Sequence, residues 1–182
     1  MEKYQLWTIG HSTRDLDEFL ALLQEHQIRA LADVRQFPGS RRHPHFGGKS
    51  LAESLAHERI EYSHFPELGG HRRAKPDSQT LAWRNEAFRG YADYVETSAF
   101  HDGIARLLEI AKGKRTAIMC AEAVWWRCHR ALISDFLKAE GHEVVHILAA
   151  GKSEPHPFTS VARIVEGRLF YRLPLRETEL NL

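Results

Sequence analysis

Cysteine is nearly absent from this chain. Two in 182 residues are too few for a disulfide framework and point to a reducing compartment. Long apolar runs are missing as well, and none nears the ~20 residues that a membrane span needs. The opening Met1-Glu2-Lys3-Tyr4-Gln5-Leu6 has no apolar core of signal-peptide length. Excess charge of one sign is also lacking. The 25 Lys+Arg against 24 Asp+Glu leave a net charge of +1, which argues against a protein coated in positive charge but leaves room for a local basic pocket. No repeat, low-complexity tract or linker interrupts the chain. What is present, 43% apolar residues and 10% aromatics, suits an ordinary globular core that needs neither disulfides nor a structural metal. The expectation is one α/β domain over 1–182, cytoplasmic and without a membrane partner.

Short apolar runs alternate with amphipathic stretches, the pattern of a mainly parallel sheet flanked by helices. Tyr4 to Ile9, Ala30 to Val34, Ile60 to Ser63, Thr116 to Met119 and Glu143 to Leu148 read as strands. Ser12 with Asp15 has a capping-box layout, so a helix is expected to open there and carry Leu16, Phe19, Leu20 and Leu23. Further helices are predicted for Ser50 to Glu58, Leu81 to Val95, a segment with Ile104 and Leu107 that ends at Gly113, and Trp126 to Glu140. Ala162 to Tyr171 reads as a C-terminal antiparallel hairpin turning at Glu166-Gly167, placed at one edge of the sheet.

In open α/β sheets the ligand lies beyond the carboxyl ends of the strands. Those ends would bring together His11 and Ser12, Asp33 and Arg35, His64, and Cys120 with Glu122, a set too polar for a core. From Arg35 to Lys75 there are eight Lys+Arg and four Asp+Glu, a local excess of four positive charges. Planar guanidinium forks bind phosphate or carboxylate and stack on flat rings, and Phe37, Phe46, Trp83, Trp125 and Trp126 occur beside such arginines. Solvated basic loops and core aromatics give the same composition.

Other features are bland. Gly47-Gly48-Lys49-Ser50 fails as a phosphate-binding loop because His43 stands where that pattern needs glycine. His43-Pro44-His45 and His156-Pro157 read as caps and packing pieces. Cys128 reads as a small buried hydrophobe on a helical stripe with Leu132 and Phe136. With Glu122 and His129 the two thiols could ligate a metal, since thiolate, imidazole and carboxylate are all zinc ligands, but the seven residues between the cysteines do not match the tight cysteine spacing of structural zinc sites. No metal and no cofactor are expected.

The stretch from Cys120 to Arg130 is the most distinctive. With Gly10-His11-Ser12, Asp33-Val34-Arg35 followed by Pro38 and Ser40-Arg41, Leu68-Gly69-Gly70, Cys120 with Glu122, and Cys128-His129-Arg130, the chain resembles the bacterial family catalogued as domain of unknown function 488. The likeness covers nearly the whole chain and implies no activity, because the family is defined without one. A weaker likeness is to rhodanese-type sulfurtransferases, with Cys120 where a sulfur-carrying cysteine would sit. The loop after it departs from that pattern: it is long and carries Glu122, whose carboxylate would raise a neighbouring thiol's pKa.

The favoured expectation is an enzyme with an anion-binding cleft for a nucleotide or nucleic-acid-like substrate. Cys120, Glu122, His11 and His129 are the candidate catalytic residues. Ser12, Asp33, Arg35, Arg41, Arg127, Arg130 and Trp126 are the candidate substrate contacts. The alternatives are a non-catalytic nucleic-acid-binding module and a persulfide transferase.

Overall fold

The computed structural model describes residues 2–39 and 41–172; Ser40 lies outside them. Five parallel strands, β1 (Gln5–Gly10), β2 (Ala30–Asp33), β3 (Glu61–His64), β4 (Thr116–Cys120) and β5 (Glu143–Ala149), carry the fold. With β6 (Lys152–Pro155), which pairs antiparallel to β5, they form one sheet in the order β3-β2-β4-β1-β5-β6. Strand alternation sorts the apolar residues. Trp7, Ile9, Leu31, Ala117 and Met119 face one side, under α1 (Leu16–Glu25) and α2 (Gly48–His57). Leu6, Ala32, Val34 and Ile118 face the other, under α3 (Glu86–Val95), α4 (Ser98–Gly113) and α5 (Arg130–Ala139). Period-2 burial on both faces is what a sheet covered by helices demands. Among the described residues no helix is long and apolar enough to cross a membrane.

Several expected boundaries move, each for a local reason. The first helix is capped by Asp15, whose carboxylate accepts from the Glu18 amide at 2.7 Å. Ser12 instead takes a left-handed φ of 49° and is tied to the loop after β4. Residues 81–85 stay outside α3, which opens where the Asn85 side chain accepts from Ala87 and Phe88 amides. Trp126 does not start the last helix: Trp125–Arg127 is a separate 3-10 turn, Cys128 is extended, and α5 opens at Arg130. Cys128 is buried as expected, though not on a helical stripe. The hairpin does turn at Glu166-Gly167, both at positive φ, between β7 (Arg163–Val165) and β8 (Arg168–Phe170). It forms a sheet of its own, and the antiparallel edge strand is β6, which has no apolar alternation to announce it.

Candidate functional site

The chain leaves β1 in one direction, through α1 to β2, and leaves β4 in the other, through α5 to β5. Adjacent strands with diverging exits open a crevice at their carboxyl ends, and Gly10 at the end of β1 stands in register with Cys120 at the end of β4. Two backbone hydrogen bonds join the exits, from the His11 amide to the Cys120 carbonyl at 3.0 Å and from the Ser12 amide to the Ala121 carbonyl at 2.9 Å. The resulting cleft measures about 920 Å³, within the usual range for small-molecule sites.

One wall is built on Asp33. This fully buried carboxylate accepts from Arg35 at both oxygens, at 2.9 and 2.6 Å, and from the Tyr62 hydroxyl at 2.7 Å. His64 holds the Arg35 carbonyl from β3 at 2.8 Å. Arg35 in turn donates to His11 Nε2 at 3.3 Å, while His11 Nδ1 donates to the Ser12 carbonyl at 3.0 Å. A carbonyl only accepts and a guanidinium only donates, so one neutral tautomer of His11 satisfies both contacts. Burial pushes its pKa down to about 4, assisted by the charge of Arg35 and opposed by the Ser12 carbonyl. Both ring nitrogens of His11 are therefore engaged.

The thiols form the floor. Cys120 and Cys128, brought together by the loop that folds over β4, lie with His129 so that their ligand atoms are all within 4.8 Å of one another. Arg130, 1% exposed, donates through Nε to Cys128 Sγ at 3.3 Å and through Nη2 to the Glu122 carbonyl. Burial alone would raise the Cys128 pKa, but a hydrogen bond from Cys120 and the charges of His129 and Arg130 bring it well below the ordinary value. The same hydrogen bond, together with burial, pushes Cys120 well above. The Glu122 carboxylate is not the cause, since it accepts from the neighbouring Ala123 amide and stays exposed.

The expected residues separate by position. His11, Ser12, Arg35, Cys120, Glu122, Arg127 and His129 line the cleft. Asp33 and Arg130 lie behind it as buried supports. Arg41 and Trp126 are exposed, and neither borders the cleft. Arg42, beside Arg41 in the basic loop, does border it, as do Phe88 and Tyr91 of α3, which no sequence signal marks as functional. Phe88 and Tyr91 fall at helical spacing in the segment expected to be a helix, and that spacing does not distinguish a core stripe from one that also walls a cleft. Gly70 was visible in the Leu68-Gly69-Gly70 motif, and its role is spatial: a Cβ there would come within 3.1 Å of His129 Nδ1.

Behind the thiol loop runs a buried polar chain. The Thr8 hydroxyl and His146 Nδ1 are 2.6 Å apart, His146 Nε2 meets His156 Nδ1 at 2.8 Å, and His156 Nε2 donates to Asp135 at 2.9 Å. The Trp125 ring stacks on His146 at 4.4 Å and its indole N–H donates to Glu154 at 2.7 Å. This anchors the 3-10 turn that sets Cys128. Burial lowers the His146 pKa from 6.5 to about 2.

A pH dependence follows. Unfolded His146 and His11 take up protons near 6.5, whereas the folded forms stay neutral down to about 2 and about 4. Their contribution is fully present above the unfolded pKa and is lost as pH falls. For His146 the loss is about 1.4 kcal/mol per pH unit. His11 contributes less, because it borders the open cleft, where solvent screens charge. Urea titrations are expected to give a folding free energy about 2–3 kcal/mol lower at pH 5 than at pH 7. A flat profile would mean that neither ring is held neutral.

No curated protein and no solved structure matches the chain significantly. The family described as Domain of unknown function DUF488 matches residues 15–137, a span that holds the Asp33-Val34-Arg35, Leu68-Gly69-Gly70 and Cys128-His129-Arg130 segments and begins just after Gly10-His11-Ser12. The chain belongs to that family.

Proposed function

We propose that the chain is an enzyme acting on an anionic, flat-ringed substrate of nucleotide size, whose reacting atom lies over Cys120, Cys128 and His129. The observation that carries this reading is the cleft lining: Arg42 and Arg127 border it, among the described residues neither pairs with a carboxylate, and the aromatic rings of Phe37 and Phe88 border it too. Arg35 is committed to Asp33 and Arg130 is buried against Cys128, so Arg42 and Arg127 are the cations left to hold a phosphate or carboxylate. His11 keeps Arg35 in place. Glu122 supplies a carboxylate at the rim for moving a proton to or from the substrate.

The test is equilibrium binding of a panel of nucleoside monophosphates and diphosphates, followed by product analysis with the ones that bind. A charge-assisted hydrogen bond contributes about 1.5–3 kcal/mol, so Arg42→Ala and Arg127→Ala should each weaken binding by about 10- to 100-fold. Cys120→Ser should abolish turnover while the substrate still binds. The other reading, a nucleic-acid-binding module, draws on Phe37 and Trp126, which are 76% and 53% exposed and suit stacking on single-stranded bases. Oligonucleotide binding that falls steeply with salt, survives Cys120→Ser and has no mononucleotide counterpart would establish it in place of the enzyme.

A further inference from the structure

We propose that Cys120, Cys128 and His129 form a three-ligand site for a zinc-class ion, with its open position facing the cleft. The imidazole is prepared for it. His129 Nε2 is 3.2 Å from the Val34 carbonyl, which can only accept, so Nε2 carries a proton and Nδ1 is the ring nitrogen left to meet a metal ion once the imidazole is neutral. Nδ1 lies 3.6 Å from Cys128 Sγ. Zinc bonds of about 2.3 Å to sulfur and about 2.0–2.1 Å to nitrogen, at a tetrahedral angle, separate the two donors by about 3.6 Å. Two such sulfurs stand about 3.8 Å apart, and all three donor atoms here fall within 4.8 Å of one another.

The surroundings match a metal site in two further respects. Metal-bound histidines usually give their other ring N–H to a carbonyl or carboxylate, and bound thiolates receive hydrogen bonds of their own. Val34 and Arg130 fill those two places. Gly70 keeps the space beside Nδ1 clear, where any Cβ would approach to 3.1 Å. Two thiolates and an imidazole form a soft donor set that selects zinc-class ions over magnesium or calcium. Two thiolates also neutralise a divalent charge, which leaves the positive charge of Arg130 beside the site. All three ligands line the cleft, so the fourth position would take water or a substrate atom, as in catalytic zinc sites. The seven-residue spacing conceals such a site because one sulfur ends a strand and the other follows a 3-10 turn.

The site deepens the proposed function, but its test needs no substrate. Protein purified under reducing conditions is analysed for zinc, then stripped and titrated with cobalt(II), whose absorption reports tetrahedral geometry and sulfur-to-metal charge transfer. One ion per chain with a thiolate charge-transfer band is expected. Affinity should fall at least tenfold in Cys120→Ser and in His129→Ala, with circular dichroism confirming the fold. If a variant does not fold, the wild-type charge-transfer band still reads thiolate ligation directly. Reduced, folded wild-type protein that takes up no cobalt would overturn the site, as would cobalt held undiminished by both variants. Intact cobalt bands in a protein that binds no nucleotide would instead overturn the proposed function and leave the metal site standing.

Discussion

Gly10→Ala is expected to destabilise the protein by about 3 kcal/mol or more, at the upper end of overpacking costs, and to dismantle the cleft floor. A Cβ at Gly10 would lie 1.9 Å from the Glu122 carbonyl oxygen and 2.7 Å from its carbon. Both are backbone atoms and cannot rotate away. The requirement is for space rather than for an unusual backbone angle, since Gly10 ends a regular strand. The Glu122 carbonyl that must move also accepts from Arg130, and the Gly10 carbonyl holds Arg14 at 2.7 Å. The methyl group therefore pushes on the loop that joins the two thiols. Urea unfolding followed by circular dichroism reads the stability. A change below about 0.5 kcal/mol, typical of an unconstrained surface position, would contradict the close approach of β1 to this loop.

The second large effect is expected at Asp135, which is 0% exposed. Its carboxylate accepts from His156 and the Thr159 amide at Oδ1, both at 2.9 Å, and from the Thr159 and Tyr171 hydroxyls at Oδ2, at 2.6 and 2.9 Å. One side chain of α5 thus ties down three positions in the chain that follows β6. Asp135→Ala leaves these donors buried without an acceptor, and the loss should be about 3–5 kcal/mol, as for other broken buried networks. Asp135→Asn should lose less. An amide nitrogen in place of Oδ2 meets two hydroxyls that can turn to accept, whereas the donors at Oδ1 cannot reverse. Equal losses in the two variants, measured by denaturant titration, would refute this account of the network.

Much of this architecture was legible in local patterns. Strands β1, β2, β4 and β5 appear where apolar residues cluster over four to seven positions, because a strand buried on both faces has to be apolar throughout. The place of the cleft followed from strand ends and diverging loops, which point to His11, Arg35 and Cys120, whereas His129 stands out only through the Cys128-His129-Arg130 motif. Errors arose where a neighbour distant in sequence decides the conformation. Ser12 looked like a helix cap, yet its amide is committed to the Ala121 carbonyl. Residues 126–129 looked helical, yet Trp125 stacked on His146 holds the turn apart from α5. Arg41 and Arg42 are adjacent and chemically identical, and only the path of their loop puts Arg42 at the cleft.

By itself the sequence determined the α/β class, the direction of the main strands and the family, because these depend on hydrophobic period and short motifs that neighbouring residues carry together. Only the tertiary structure decided which arginines are tied to buried partners and which groups the ring nitrogens of His11 and His129 meet. It also decided that Cys128 faces the same floor as Cys120. Those properties rest on distances between residues far apart in the chain, and no local pattern records such distances.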